Sequence, residues 1–287
     1  MKYLNPKADP TFWRVFGKHP DLTISFLNAL LPLPPEEEIT DMKYLPSERI
    51  PETPWRRYSI VDVRCTDKSG RQFMAEIQMI WSPEFTHRVL LDASEACVHP
   101  RNSGEQYELP HPVYSLNLVN EVFRPEQEGY YHHYPMIRVE NSDKVINGLQ
   151  LVVVELPKFT PQTYPEKEMH VLWLRYLTEI NERTREVPPE LMANPLVRKA
   201  LAALEESAYT DAQLAGYEKF WDMVSVERTL YASALRKGWE KMRKGREEGK
   251  KETRRLIAAN MKKQGLSPEI ISECTGLSVE EMEVVMC

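Results

Sequence analysis

The segment SIVDVRCTDKSGRQFMAEIQMIW, residues 59–81, sets two acidic side chains on what read as adjoining strands. If Lys68-Ser69-Gly70 is a three-residue hairpin loop, with Gly70 as the left-handed residue of a bulge, the strands pair outward from Ser69. Asp67 then faces Arg71, Val63 faces Ala75, and Asp62 faces Glu76. Opposed Cβ atoms lie about 4.5–5.5 Å apart, so two carboxylates meet on one face, with Gln78 two residues further along it. Ile60, Met74 and Ile80 flank the pair, and carboxylates set together among apolar neighbours repel unless one is protonated or a cation lies between them. Oxygen ligands of this kind select a hard divalent ion, Mg²⁺ or Mn²⁺, over zinc. A two- or four-residue loop would instead put Asp62 and Glu76 on opposite faces and leave an ordinary hairpin with scattered polar residues.

Other reactive side chains point less directly to chemistry. The adjacent pair His132-His133 would diverge on a strand, which argues against a histidine zinc site. Cys65, Cys97, Cys274 and Cys287 contain no C-x-x-C pair and read as reduced thiols. Tyr130-Tyr131-His132-His133-Tyr134 has the makings of a base-stacking platform, but alternation on an edge strand explains it as well. Trp173, Trp221 and Trp239 fall on helices and read as core or interface. Asp9 either caps the first helix or stands at the edge of a metal site, and the cap is the simpler role.

The elements that must hold the hairpin follow from periodicity. FLNALL (26–31) closes a helical N-terminal stretch, stopped by Pro32, Pro34 and Pro35. Strands are expected over 39–45, 55–65 and 71–81, the last two forming the hairpin, then a helix over 84–98 and strands over 113–122 and 149–156. Helices follow over 166–182, 189–206 and 210–235. The first half is therefore α/β and the second α. The expected organisation is a core over 1–160, a helical extension over 161–235, a basic glycine-punctuated helix or linker over 236–263, and a small helix-turn-helix-like tail over 264–287. Within that tail Ser278 and Glu281 have capping-box spacing.

Composition fits a packed globular protein: 42% of residues are hydrophobic and 28% charged, unlike disordered or collagen-like chains. The densest apolar run, LVVVEL at 151–156, is broken by Glu155, and the N-terminus lacks the apolar core of a secretory signal. No membrane partner and a cytoplasmic location are expected. The net charge of −6 hides an asymmetry, because residues 236–263 hold twelve Lys and Arg against four Glu. Such a stretch contacts a polyanion or an acidic partner, or is a solvated helix laced with pairs such as Glu240-Lys244.

Taken together, Asp62 and Glu76-Ile77-Gln78 on adjoining strands resemble the PD-(D/E)XK nuclease core, with Gln in place of its usual Lys. The chain looks most like the Rpn family of recombination-promoting nucleases, also described as transposases. ADPTFWRVFG (8–17), DLTISFLNALL (21–31), FTHRVLLDAS (85–94), LQLVVVELPKF (149–159) and TGLSVEEM (275–282) extend the resemblance over nearly the whole chain. One departure is Phe12-Trp13, where such openings commonly carry Phe-Lys. The resemblance implies a restriction-endonuclease-like mixed sheet flanked by helices, and Mg²⁺-dependent hydrolysis of DNA phosphodiester bonds, with Mn²⁺ as a substitute. It implies that Asp62, Glu76 and the Ile77 carbonyl hold the metal and that Gln78 orients the attacking water. Arg88 would contact phosphate, with Lys241, Arg243 and Lys244 as further DNA contacts. The implied setting is recombination, transposition-like mobility or defence. The rival is a catalytically inactive DNA-binding or self-associating regulatory protein on the same fold, its tail a device for homo-oligomer assembly.

Overall fold

The computed structural model describes residues 2–45, 48–49, 59–60, 63–97, 111–138, 141–161, 168–278 and 281. Asp62 lies outside them. The chain divides into two compact units, Met1–Val224 and Ser225–Cys287.

The described strands of the first unit are β1 (Lys43–Tyr44), β2 (Glu48–Arg49), β3 (Ser59–Ile60), β4 (Val63–Thr66), β5 (Gln72–Gln78), β6 (Val113–Val119), β7 (Tyr131–Arg138) and β8 (Asn141–Glu155). Six form one mixed sheet in the order β1-β4-β5-β6-β8-β7, while β2 and β3 pair separately. β5, β6 and β8 run parallel; the outer pairs β1·β4, β4·β5 and β7·β8 are antiparallel. Burial follows this plan. QFMAEIQ of β5 and VYSLNLV of β6 are buried along almost their whole length, as central strands covered on both faces must be. This is the expected mixed sheet with flanking helices.

The hairpin has the three-residue loop expected of it. Val63 faces Ala75, Arg64 faces Met74, Cys65 faces Phe73 and Thr66 faces Gln72. Gly70 takes φ 83°, and Asp67 closes the turn by accepting from Ser69 Oγ at 2.8 Å, Arg71 N at 3.0 Å and Arg71 Nε at 2.7 Å.

One sheet face packs on α1 (Asp9–Phe16), α2 (Pro20–Leu30), α4 (Met169–Glu179), α5 (Pro189–Ala193) and α6 (Pro195–Ala203). There Phe73, Ala75, Ile77, Leu116, Val152 and Val154 meet a knot of rings in which Phe16 stacks on Phe26 at 4.3 Å and Trp173 is edge-on to both. The other face packs on α3 (Pro83–Cys97), through Met74, Ala93, Ala96, Val113 and Leu149.

Several elements depart from expectation. The first thirty residues form two helices, separated by Gly17 and restarted at Pro20. The strand expected over 39–45 pairs only at 43–44, because Ile39 is claimed by α2: Asn28 Oδ1 accepts from its N–H at 2.8 Å and Asn28 Nδ2 donates to its carbonyl at 2.9 Å. The helix expected over 189–206 is cut at Pro195, where Asn194 caps the new helix by accepting from Leu196 and Val197 N–H. In β7 the ladder slips between Pro135 and Met136 and again between Ile137 and Arg138.

The helix expected over 210–235 is α7 (Asp211–Lys263), which runs unbroken through Gly238, Gly245 and Gly249 and past the expected boundary at 235/236. The division between units falls within it. In the second unit, α8 (Pro268–Thr275) ends at Gly276 with φ 65°, and Ile271 and Leu277 pack against Ala258. Ser278 and Glu281 make the reciprocal bonds of a capping box, at 3.0 and 3.2 Å. No described helix is long and apolar enough to cross a membrane.

Candidate active site

Glu76 sits on central strand β5 and turns toward α3, with 8% of its surface exposed. A carboxylate so placed must be partnered. Arg88 of α3 donates from Nη2 to Glu76 Oε1 at 2.6 Å and also to Gln78 Oε1. Gln78 Nε2 donates to the Ile80 carbonyl at 2.8 Å, which fixes its amide. Burial pushes the Glu76 carboxyl up to about 7; Arg88 opposes the rise, while the negative charges of Asp92 and Asp9 add to it. A buried acid with two further acids near it is an arrangement that a cation relieves.

Asp92 was not among the residues singled out from sequence, yet its signal is readable. Phe85, Val89, Ala93 and Ala96 form the buried stripe of α3, and Arg88 and Asp92 interrupt that stripe at i,i+4 spacing. Charged residues inside an apolar stripe face whatever lies beneath it, here Glu76. Asn117, opposite Glu76 on β6, is buried as well, its Nδ2 bonded to Ser115 Oγ at 3.0 Å and the Val152 carbonyl at 3.2 Å. Nothing in one sequence marks which strand will lie beside β5.

Asp9 is the first residue of α1, one past the N-cap position at Ala8, and its negative charge adds to the rise at Glu76. Next to it, Lys7 Nζ donates to Asn120 Oδ1 at 2.8 Å and Asn120 N–H to the Gln78 carbonyl at 2.9 Å. The Ile77 side chain is buried on the opposite face, in the main core. Lys241, Arg243 and Lys244 stand exposed on α7 in the other unit. Among the described residues no group of three His, Cys, Asp or Glu converges as a metal site.

At the C-terminal end of β8 lies another buried acid, Glu155. It accepts from Phe123 N–H at 3.0 Å, His132 Nε2 at 2.8 Å and Lys158 Nζ at 2.9 Å, while Lys158 also donates to the Arg124 and Gln127 carbonyls. Burial alone would raise its carboxyl, but these bonds outweigh burial and hold it below the ordinary range. Glu155 thus stays ionised and ties the 120–130 loop to β8.

The chain matches the family model of PD-(D/E)XK nuclease family transposases over residues 6–229. The chain belongs to that family. PD-(D/E)XK nucleases act on nucleic-acid phosphodiesters and generally use divalent metal ions, and the acid cluster around Glu76 suits such a cation in charge and in donor type. No curated protein and no solved structure shows significant similarity to the chain.

Proposed function

We propose that this PD-(D/E)XK protein is a DNA endonuclease that requires Mg²⁺, with Mn²⁺ able to replace it. The observation that carries the proposal is the buried Glu76 with Gln78 two residues on, both bonded by Arg88, in a chain of this nuclease family. In this reading Asp62, Glu76 and the Ile77 carbonyl hold the ion. When bound, the ion supplies a water of lowered pKa and offsets charge developing on the phosphoryl group. Gln78, its amide already fixed by the Ile80 carbonyl, orients that water; it lacks the point charge of a lysine and acts through hydrogen bonds alone. Arg88 balances Glu76, and its half-exposed guanidinium would also contact the scissile phosphate.

Lys241, Arg243 and Lys244 add phosphate contacts along the basic part of α7. The organisation that goes with this reading is a nuclease core over 1–160, a helical extension, the basic helix and a small tail. Its setting is DNA mobility, recombination or defence in the cytoplasm, with which the free thiols of Cys65 and Cys274 agree. Supercoiled plasmid incubated with the protein should be nicked in Mg²⁺, spared in EDTA, and spared by Asp62→Ala and Glu76→Gln. Equal nicking by wild type and either variant would overturn the assignment.

A further inference from the structure

The sheet face that carries Glu76 also carries a row of aromatic rings. Trp81, three residues past Gln78, stacks on Phe123 with centroids 4.3 Å apart. Phe123 meets His132 edge-on at 5.5 Å, and His132 lies over Tyr134 at 6.5 Å. At its inner end Trp81 packs against Phe85 at 5.3 Å, and the Arg88 guanidinium that bonds Glu76 sits 5.1 Å above that same Phe85 ring. The row therefore starts at the candidate active site and ends on edge strand β7.

Strand alternation builds it. Tyr131 and His133 point to the helical face, where Tyr131 bonds the Leu30 carbonyl and His133 bonds Gln150. His132 and Tyr134 turn to the opposite face and extend the row, and the bond from His132 to Glu155 fixes the plane of its ring. Trp81 and Phe123 each rest one side on the small core of Phe85, Val89, Val119 and Val153. Tyr134 lies beyond that core with 42% of its surface exposed, and Trp81 and Phe123 are half-buried. A second guanidinium, that of Arg124, lies 5.9 Å over the Phe123 ring and 3.6 Å from exposed Glu126.

Ring faces flanked by guanidinium groups suit unpaired bases and their phosphates, whereas a duplex keeps its base faces stacked inside and offers the rings little. We propose that the row Trp81-Phe123-His132-Tyr134 is a stacking track for single-stranded DNA, so that the substrate of this nuclease is DNA with unpaired bases. The inference rests on the nuclease reading above and names its substrate class.

The test measures binding in EDTA, where strand cleavage does not intrude, by anisotropy of a labelled 20-nucleotide single strand and of the same strand in duplex. Wild type should bind the single strand at least roughly tenfold more tightly than the duplex. Tyr134→Ala, at an exposed position that does not endanger the fold, and Phe123→Ala should each weaken single-strand binding by about five- to tenfold and leave duplex binding and the salt slope of log K unchanged. Trp81→Phe, which keeps a ring, should retain the preference. Equal affinity for both DNA forms, or ring variants that weaken both alike, would overturn the track. Preference for the single strand with no Mg²⁺-dependent cleavage of either the labelled single strand or plasmid would refute the nuclease reading and leave the track standing.

Discussion

Glu76 concentrates the energetics of the site in one proton. Its carboxyl, raised to about 7, gives up its proton later in the folded chain than in the unfolded one. Between the ordinary carboxylate range and pH 7 the unfolded state therefore binds fewer protons, and stability falls as pH rises through that window. Glu76→Gln removes this loss. The metal-free variant should be more stable than wild type at pH 8, by on the order of 1–3 kcal/mol, and close to it at pH 5, as read from urea midpoints. Added Mg²⁺ should stabilise wild type at pH 8 and leave the variant unmoved. Asp92→Asn takes away one of the negative charges that raise Glu76. The acid limb of the Mg²⁺-dependent nicking profile should then move to lower pH, and an unmoved limb would show that Asp92 does not act on Glu76.

Elements set the geometry that makes such residues meet. Gly70 holds φ 83°, and a Cβ built there would lie 2.8 Å from the His111 ring. Gly70→Ala should cost about 1–2 kcal/mol in chemical unfolding and reduce nicking beyond what that loss explains, because the loop sets the β4–β5 register. Asn194→Ala, by contrast, should cost about 1 kcal/mol through the lost α6 cap and leave nicking alone. The hairpin was legible because its turn chemistry is local: Asp67, Gly70 and Arg71 dictate the loop, and the loop dictates which residues face each other. The helix breaks at Pro195 and beyond Leu31 are equally local, each set by a proline. What a single sequence hides is non-local. Ile39 leaves the sheet because Asn28 captures its backbone, the charge of Asp9 bears on Glu76 from a distant stretch of chain, and Asn117 stands opposite Glu76 only because β6 lies beside β5.

For the molecule as a whole, the family match over residues 6–229 and the first compact unit, residues 1–224, nearly coincide. A chain ending at residue 235 should melt within a few degrees of the full protein. It should also bind DNA less tightly with a flatter salt dependence, since each phosphate neutralised by 236–263 contributes a slope of about −0.9 in log K against log salt. An unchanged slope would remove Lys241, Arg243 and Lys244 from the DNA contacts. The outer strands of the described sheet bear on a different matter, namely how copies of this protein behave when crowded together. On one side β1 offers two residues; on the other, Pro135 has no N–H to donate and the ladder slips on either side of Met136-Ile137. A foreign strand arriving at either border finds too few consecutive partners to zip onto. Among the described residues, these two borders of the six-stranded sheet are therefore poor templates for growth by strand addition.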